Sequence, residues 1–159
     1  MNARAAKEYV KMASKILVAT DGSKYSEKAV DYGVDLAKRL GVEVIALYVV
    51  SLKTMERFAL GHHDDIGGYE RVNDELKAEG ERALGYVAVK GEEIGVKVSK
   101  MLVRGYPADE IMKAASSERP EFIVVGSLGK TGLEHLFIGS VSEAVVKKAP
   151  CPVLVVRVK

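Results

Sequence analysis

Five short apolar runs, at 16–20, 42–50, 96–103, 122–125 and 153–158, alternate along the chain with four segments whose apolar residues recur at helical spacing. Strands separated by helices in this way imply a parallel sheet. The runs are rich in Val, and 16–20 and 122–125 read as buried strands. Between the first two, Ala29, Gly33, Leu36 and Leu40 form one stripe beside Val30, Val34 and Ala37, and Gly41 ends the helix. Val72, Leu76, Ala83, Leu84 and Val87 mark a second helix before Gly95, and 108–117 a third that buries Ile111, Ala114 and Ala115. The last begins after Ser140 and carries Val141, Ala144, Val145 and Ala149. The expected fold is α/β: a single-domain, open, five-stranded parallel sheet with helices on both faces. At 159 residues the chain can bury such a core without disulfides.

The formal charge of +2 is spread over interspersed Lys, Arg, Asp and Glu, with no basic block or aromatic-laced stripe, so nucleic acid is not an expected partner. No secretory core or run of membrane-spanning length occurs, which points to the cytoplasm and to no membrane partner. Cys151, the lone cysteine, lies between two prolines with nothing electropositive beside it and reads as a structural thiol. His62-His63-Asp64-Asp65 has the residue types of a metal site. Adjacent residues seldom converge on one ion, however, and the flanking Gly61, Gly67 and Gly68 indicate a mobile connection, so no metal is assigned there. His135 is expected to face solvent. Residues 1–14 read as an N-terminal extension in which Ala5, Tyr9, Met12 and Ala13 share a helical spacing.

The chemistry concentrates after the fourth run. It stops at Gly126, and the chain continues Gly126-x-x-Gly129, nine further residues, then Gly139-Ser140 and a helix. A loop from a strand's carboxyl end to a helix N-terminus presents unpaired N–H groups and the positive end of a dipole, both suited to an anion. Glycine serves where backbone must approach a ligand closely. The loop is not a Walker A motif: Gly129-Lys130-Thr131 supplies the ending, but the earlier glycine would fall at Val124. Ser140 stands three residues before Glu143, the capping-box spacing, so it either caps its helix or turns toward phosphate, and a ligand could replace the cap. Gly139, Ser140, Val141 and Ser142 would offer N–H groups and two hydroxyls. Lys130 either approaches phosphate or is a solvated loop lysine. Asp21, at the end of the first run, either meets a ribose hydroxyl or a phosphate-bound Mg²⁺, or is a cap or turn residue.

The Gly-x2-Gly-x9-Gly-Ser pattern resembles that of the ATP-binding subgroup of the universal stress protein family. The opening Lys15-Ile16-Leu17-Val18-Ala19-Thr20-Asp21-Gly22-Ser23, the middle Gly105-Tyr106-Pro107 and the closing Pro152-Val153-Leu154-Val155-Val156 agree with that family in order. The resemblance implies a domain over 15–159 with a Rossmann-like, adenine nucleotide α-hydrolase-like sheet in the order 3-2-1-4-5. Its topological switch then lies between the first and fourth strands, at Asp21 and Gly126, where ligands settle in open α/β sheets. It further implies ATP, with Mg²⁺, as the ligand. Ala19 and Thr20 would line the base and ribose, the Val49 backbone would meet adenine, and Gly126, Ser127, Gly129, Lys130, Gly139, Ser140, Val141 and Ser142 would form the cradle. Leu128 fills a variable position where the family often has histidine, so any contact from that histidine is missing. The implied role is an ATP-dependent regulator in stress, acting on an unknown downstream protein. An enzyme of the same superfamily is the second possibility, but the Ser-Gly-Gly-x-Asp-Ser loop and the His-Ile-Gly-His motif are missing and no general base is evident, so at most slow ATP hydrolysis is expected. A nucleotide-free interaction module is the third, and the intact glycines argue against it. The apolar run 153–158 would lie at a sheet edge, where either the N-terminal segment of the same chain shields it or, as the resemblance also implies, a homodimer forms through the C-terminal strand.

Overall fold

Residues 2–4, 14–129 and 138–157 are described by the structure, a computed structural model of the chain. Most of the N-terminal extension, with its helical spacing at Ala5, Tyr9, Met12 and Ala13, lies outside them, as do Lys130, His135 and Val158. The elements run β1 Lys15–Thr20, α1 Lys24–Leu40, β2 Glu43–Ser51, α2 Leu52–Gly61, α3 Ile66–Ile94, β3 Val98–Gly105, α4 Pro107–Glu118, β4 Ile123–Gly126, α5 Ser140–Lys148 and β5 Val153–Val156. The five strands form one parallel sheet in the order β3-β2-β1-β4-β5, as expected. The chain therefore steps outward from β1 to β3, then restarts on β1's other side at β4. This leaves the switch between the carboxyl ends of β1 and β4.

Both faces are covered. On one, α1 and α3 bury Ala29, Val30, Val34, Leu84 and Val87 against Ile16, Val18, Val44, Ala46 and Val124. On the other, α4 and α5 bury Ile111, Ala114, Ala115 and Val145 against Leu17, Ile45, Leu47, Ile123 and Val125. Helix α1 starts where the Ser23 side chain accepts the Ser26 N–H and stops at Gly41, whose φ of 68° lets its N–H turn back onto the last carbonyls.

Three expectations need correction. The stretch after β2 holds two helices, not one. The residues between them are held by caps: Asp65 Oδ1 accepts the Gly68 N–H at 2.7 Å, and the His62 ring stacks on Phe58 at 4.4 Å. Val141 is exposed instead of lying on the apolar stripe of α5, because that helix begins at Ser140 and turns Ser142 and Val145 inward. Finally, β5 is four residues long among those described. No described helix is long and apolar enough to cross a membrane.

Candidate functional site

A cluster of short polar contacts shapes the turn after β1. Ser26 Oγ donates to the Ser23 carbonyl at 2.9 Å and lies 3.0 Å from Thr20 Oγ1, which also accepts the Gly22 N–H at 3.2 Å. Gly22 takes a φ of 75°, and Asp21 Oδ1 accepts the Ser23 N–H at 3.0 Å. The N-cap of α1 is thus Ser23, and Asp21 is the turn residue that precedes it. Its second oxygen faces the glycine loop: a methyl group placed on Gly129 would lie 2.6 Å from Asp21 Oδ2. The turn and the loop, more than a hundred residues apart in sequence, meet here. The Thr20 side chain is buried, with its hydroxyl engaged by Ser26 and the Gly22 N–H. Ser26, which the sequence reading passed over, is the hub of this network. Its signal was the Ser23-x-x-Ser26 spacing at a helix start. Ala19 and Val49 are partly buried on the α4/α5 face. Val49 follows Tyr48, the register partner of Thr20, and so stands level with Asp21 across the sheet.

The opposite wall comes from β4 and α5. Gly139 is the N-cap of α5 and bears no side chain to cap with, so the capping box expected of Ser140 and Glu143 does not form. Ser140 is exposed at the first helical position, and Glu143 instead pairs with Lys147 at 2.5 Å, which holds its carboxyl below the usual range. The N–H groups of Ser140, Val141 and Ser142 have no acceptor within the helix, and the dipole's positive end lies with them. Two bonds tie this terminus to the strand: Gly139 N–H donates to the Ser127 carbonyl at 2.6 Å, and Ser142 Oγ donates to the Gly126 carbonyl at 2.6 Å. The Ser142 hydroxyl, expected to be offered to phosphate, is thus buried and bonded to the Gly126 carbonyl. Ser127 is buried, and its N–H donates to Val156 of β5 at 2.8 Å.

The three glycines differ in what occupies the space beside them. At Gly126 a side chain would press on the Leu128 and Tyr25 carbonyls, at 3.2 and 3.4 Å, where the first turn of α1 crosses β4. At Gly129 it would meet the Asp21 carboxylate. At Gly139 it would make only ordinary contacts, 3.4 Å from the Ser127 carbonyl and 3.9 Å from the Gly129 nitrogen.

On the Val49 side, Tyr106 Oη donates to Glu56 Oε1 at 2.5 Å and an Arg104 amine donates to Tyr69 Oη at 2.9 Å. These bonds fasten α2 and α3 to the turn between β3 and α4. The carboxylate beside it pushes the Tyr106 phenol above its ordinary pKa. Among the described residues no group of three His, Cys, Asp or Glu side chains could hold a metal ion, and His62 and Asp65 serve as the caps above. Cys151 is half-buried, and burial pushes its thiol pKa up.

A sequence profile of the Universal stress protein family matches residues 12–157. Universal stress protein MJ0531 of Methanocaldococcus jannaschii is 41% identical over 143 residues, 90% of this chain and 81% of that protein. A solved structure of MJ0577, from the same organism, superposes with a TM-score of 0.75 at 32% identity, covering 93% of this chain and 98% of that one. A universal stress protein from Archaeoglobus fulgidus, solved in complex with dAMP, superposes with a TM-score of 0.64 at 25% identity over 89% of this chain and 96% of that one.

Proposed function

This chain belongs to the universal stress protein family, and on that premise we propose that it binds ATP in the crevice between β1 and β4 and works as a cytoplasmic, nucleotide-dependent regulator. The observation that carries the reading is the meeting of three elements at the topological switch: the Asp21 carboxylate, the Gly129 backbone it touches, and the N-terminus of α5 bonded back to Ser127. N–H groups of Ser140, Val141 and Ser142 suit phosphate oxygens, and the missing side chain of Gly139 leaves those oxygens room. Ala19, the Thr20 backbone and Val49 would take the nucleoside. The dAMP complex of the Archaeoglobus fulgidus relative supports a nucleotide as the ligand class.

Asp21 argues for a metal with the phosphates. A carboxylate oxygen directed at a polyphosphate repels it unless a divalent cation lies between them, and oxygen ligands of this kind suit Mg²⁺. When bound, Mg²⁺ supplies the charge that lets Asp21 and the phosphates share one side of the crevice. Among the described residues no base is positioned for a second substrate, so slow hydrolysis is the most expected of the site. The β5 edge is assigned to a homodimer.

Equilibrium binding of labelled ATP to protein stripped of nucleotide tests the reading. Saturable binding of one ATP per chain, strengthened by Mg²⁺, is expected; no saturable binding would sink it. Asp21→Asn should weaken Mg²⁺-ATP more than it weakens adenosine, whereas equal losses would move Asp21 to the ribose.

A further inference from the structure

We infer that Ser142 is a positioning residue, whose hydroxyl acts on phosphate through the Gly126 carbonyl and does not itself touch the ligand. The inference rests on the nucleotide reading above. A hydroxyl has one proton to donate, and that of Ser142 goes to the Gly126 carbonyl at 2.6 Å in a buried setting. Gly126 ends β4, and its neighbour Ser127 accepts the Gly139 N–H at 2.6 Å. The first turn of α5 is thus stapled to two consecutive carbonyls of one strand end, from its N-cap and from its third residue. Two such bonds fix both the position and the tilt of the helix, and so the direction in which the N–H groups of Ser140 and Val141 point. One bond would fix only position. The tilt matters because phosphate binding at a helix N-terminus depends on several N–H groups converging on one anion.

Amide hydrogen exchange on the ligand-free protein separates this role from direct contact. Removing the hydroxyl in Ser142→Ala deprives the buried Gly126 carbonyl of this donor, and exchange at the Gly139 and Glu143 amides should quicken about tenfold with no ATP present. ATP affinity should fall about tenfold as well, and Ser142→Thr, which keeps the hydroxyl, should restore both. A Ser142→Ala protein that loses ATP affinity while exchange stays as in the wild type would make Ser142 a direct phosphate ligand and overturn the inference. Quickened exchange with unchanged ATP affinity would overturn it too, since the staple would then not aim the helix. A wild-type protein that binds no ATP is a different failure, removing the functional reading and this role with it.

Discussion

Gly139 and Gly129 look alike in sequence but ask for different experiments. At Gly139 the protein leaves room for a methyl group and φ is −74°, so Gly139→Ala should cost about 1 kcal/mol or less, as a weaker N-cap. Its ATP affinity should nonetheless fall at least about tenfold, because the methyl would stand where phosphate must approach. Calorimetric titration beside a thermal melt checks both. At Gly129 the intruding neighbour is the Asp21 carboxylate, so Gly129→Ala should destabilise the empty protein, and less so when Asp21→Ala is already present. A double-mutant cycle should give a coupling of about 1 kcal/mol or more; additivity would mean the two residues do not touch. The sequence spacing identified these glycines but ascribed all three to a ligand. That Gly126 accommodates α1 and Gly129 accommodates Asp21 depends on contacts across more than a hundred residues, which no local pattern encodes.

Among the elements, α3 shows where periodicity informs and where it falls short. Its stripe Leu84 and Val87 was readable, yet Gly80 and Gly91 continue the same face and bring the helix axis down onto the sheet. A methyl on Gly80 would collide with Leu102 and Tyr48, at 2.5 and 2.6 Å, and one on Gly91 with Val98 and the Val96 carbonyl. Gly80→Ala should therefore destabilise by about 1–3 kcal/mol. Gly85→Ala, with nothing near its methyl, should stabilise by roughly 0.5–1 kcal/mol through helix propensity. Opposite shifts in urea midpoint for two identical substitutions in one helix would bear this out. The strands and their order were legible because buried parallel strands need unbroken apolar runs. Helix α2 was not, because only Met55 of its ten residues is buried and its neighbours Gly67 and Gly68 suggested a loop. In the structure Gly68 is small so that the Asp65 carboxylate can cap α3 beside it.

For the molecule as a whole, the proposed dimer turns on β5, the last strand of the sheet. Pro152 and Val156 turn their carbonyls to β4, accepting from Ile123 and Ser127, so by alternation Val153 and Val155 direct their main-chain groups outward. Sedimentation should show a dimer at micromolar concentration and a monomer for Val155→Pro, which removes an outward donor and leaves the β4 ladder intact. A monomeric wild type would refute the dimer, and a dimer indifferent to the proline would place its interface elsewhere. Ser127 makes this edge more than an assembly device, since its N–H holds β5 at Val156 and its carbonyl holds α5 at Gly139. A second subunit and a nucleotide, bound as proposed, would load the two ends of a single residue. Their equilibria would then form a closed thermodynamic cycle: the factor by which ATP tightened such a dimer would equal the factor by which the dimer outbound the monomer for ATP, and with a factor other than one the concentration of the protein itself would become a signal that the cradle reads.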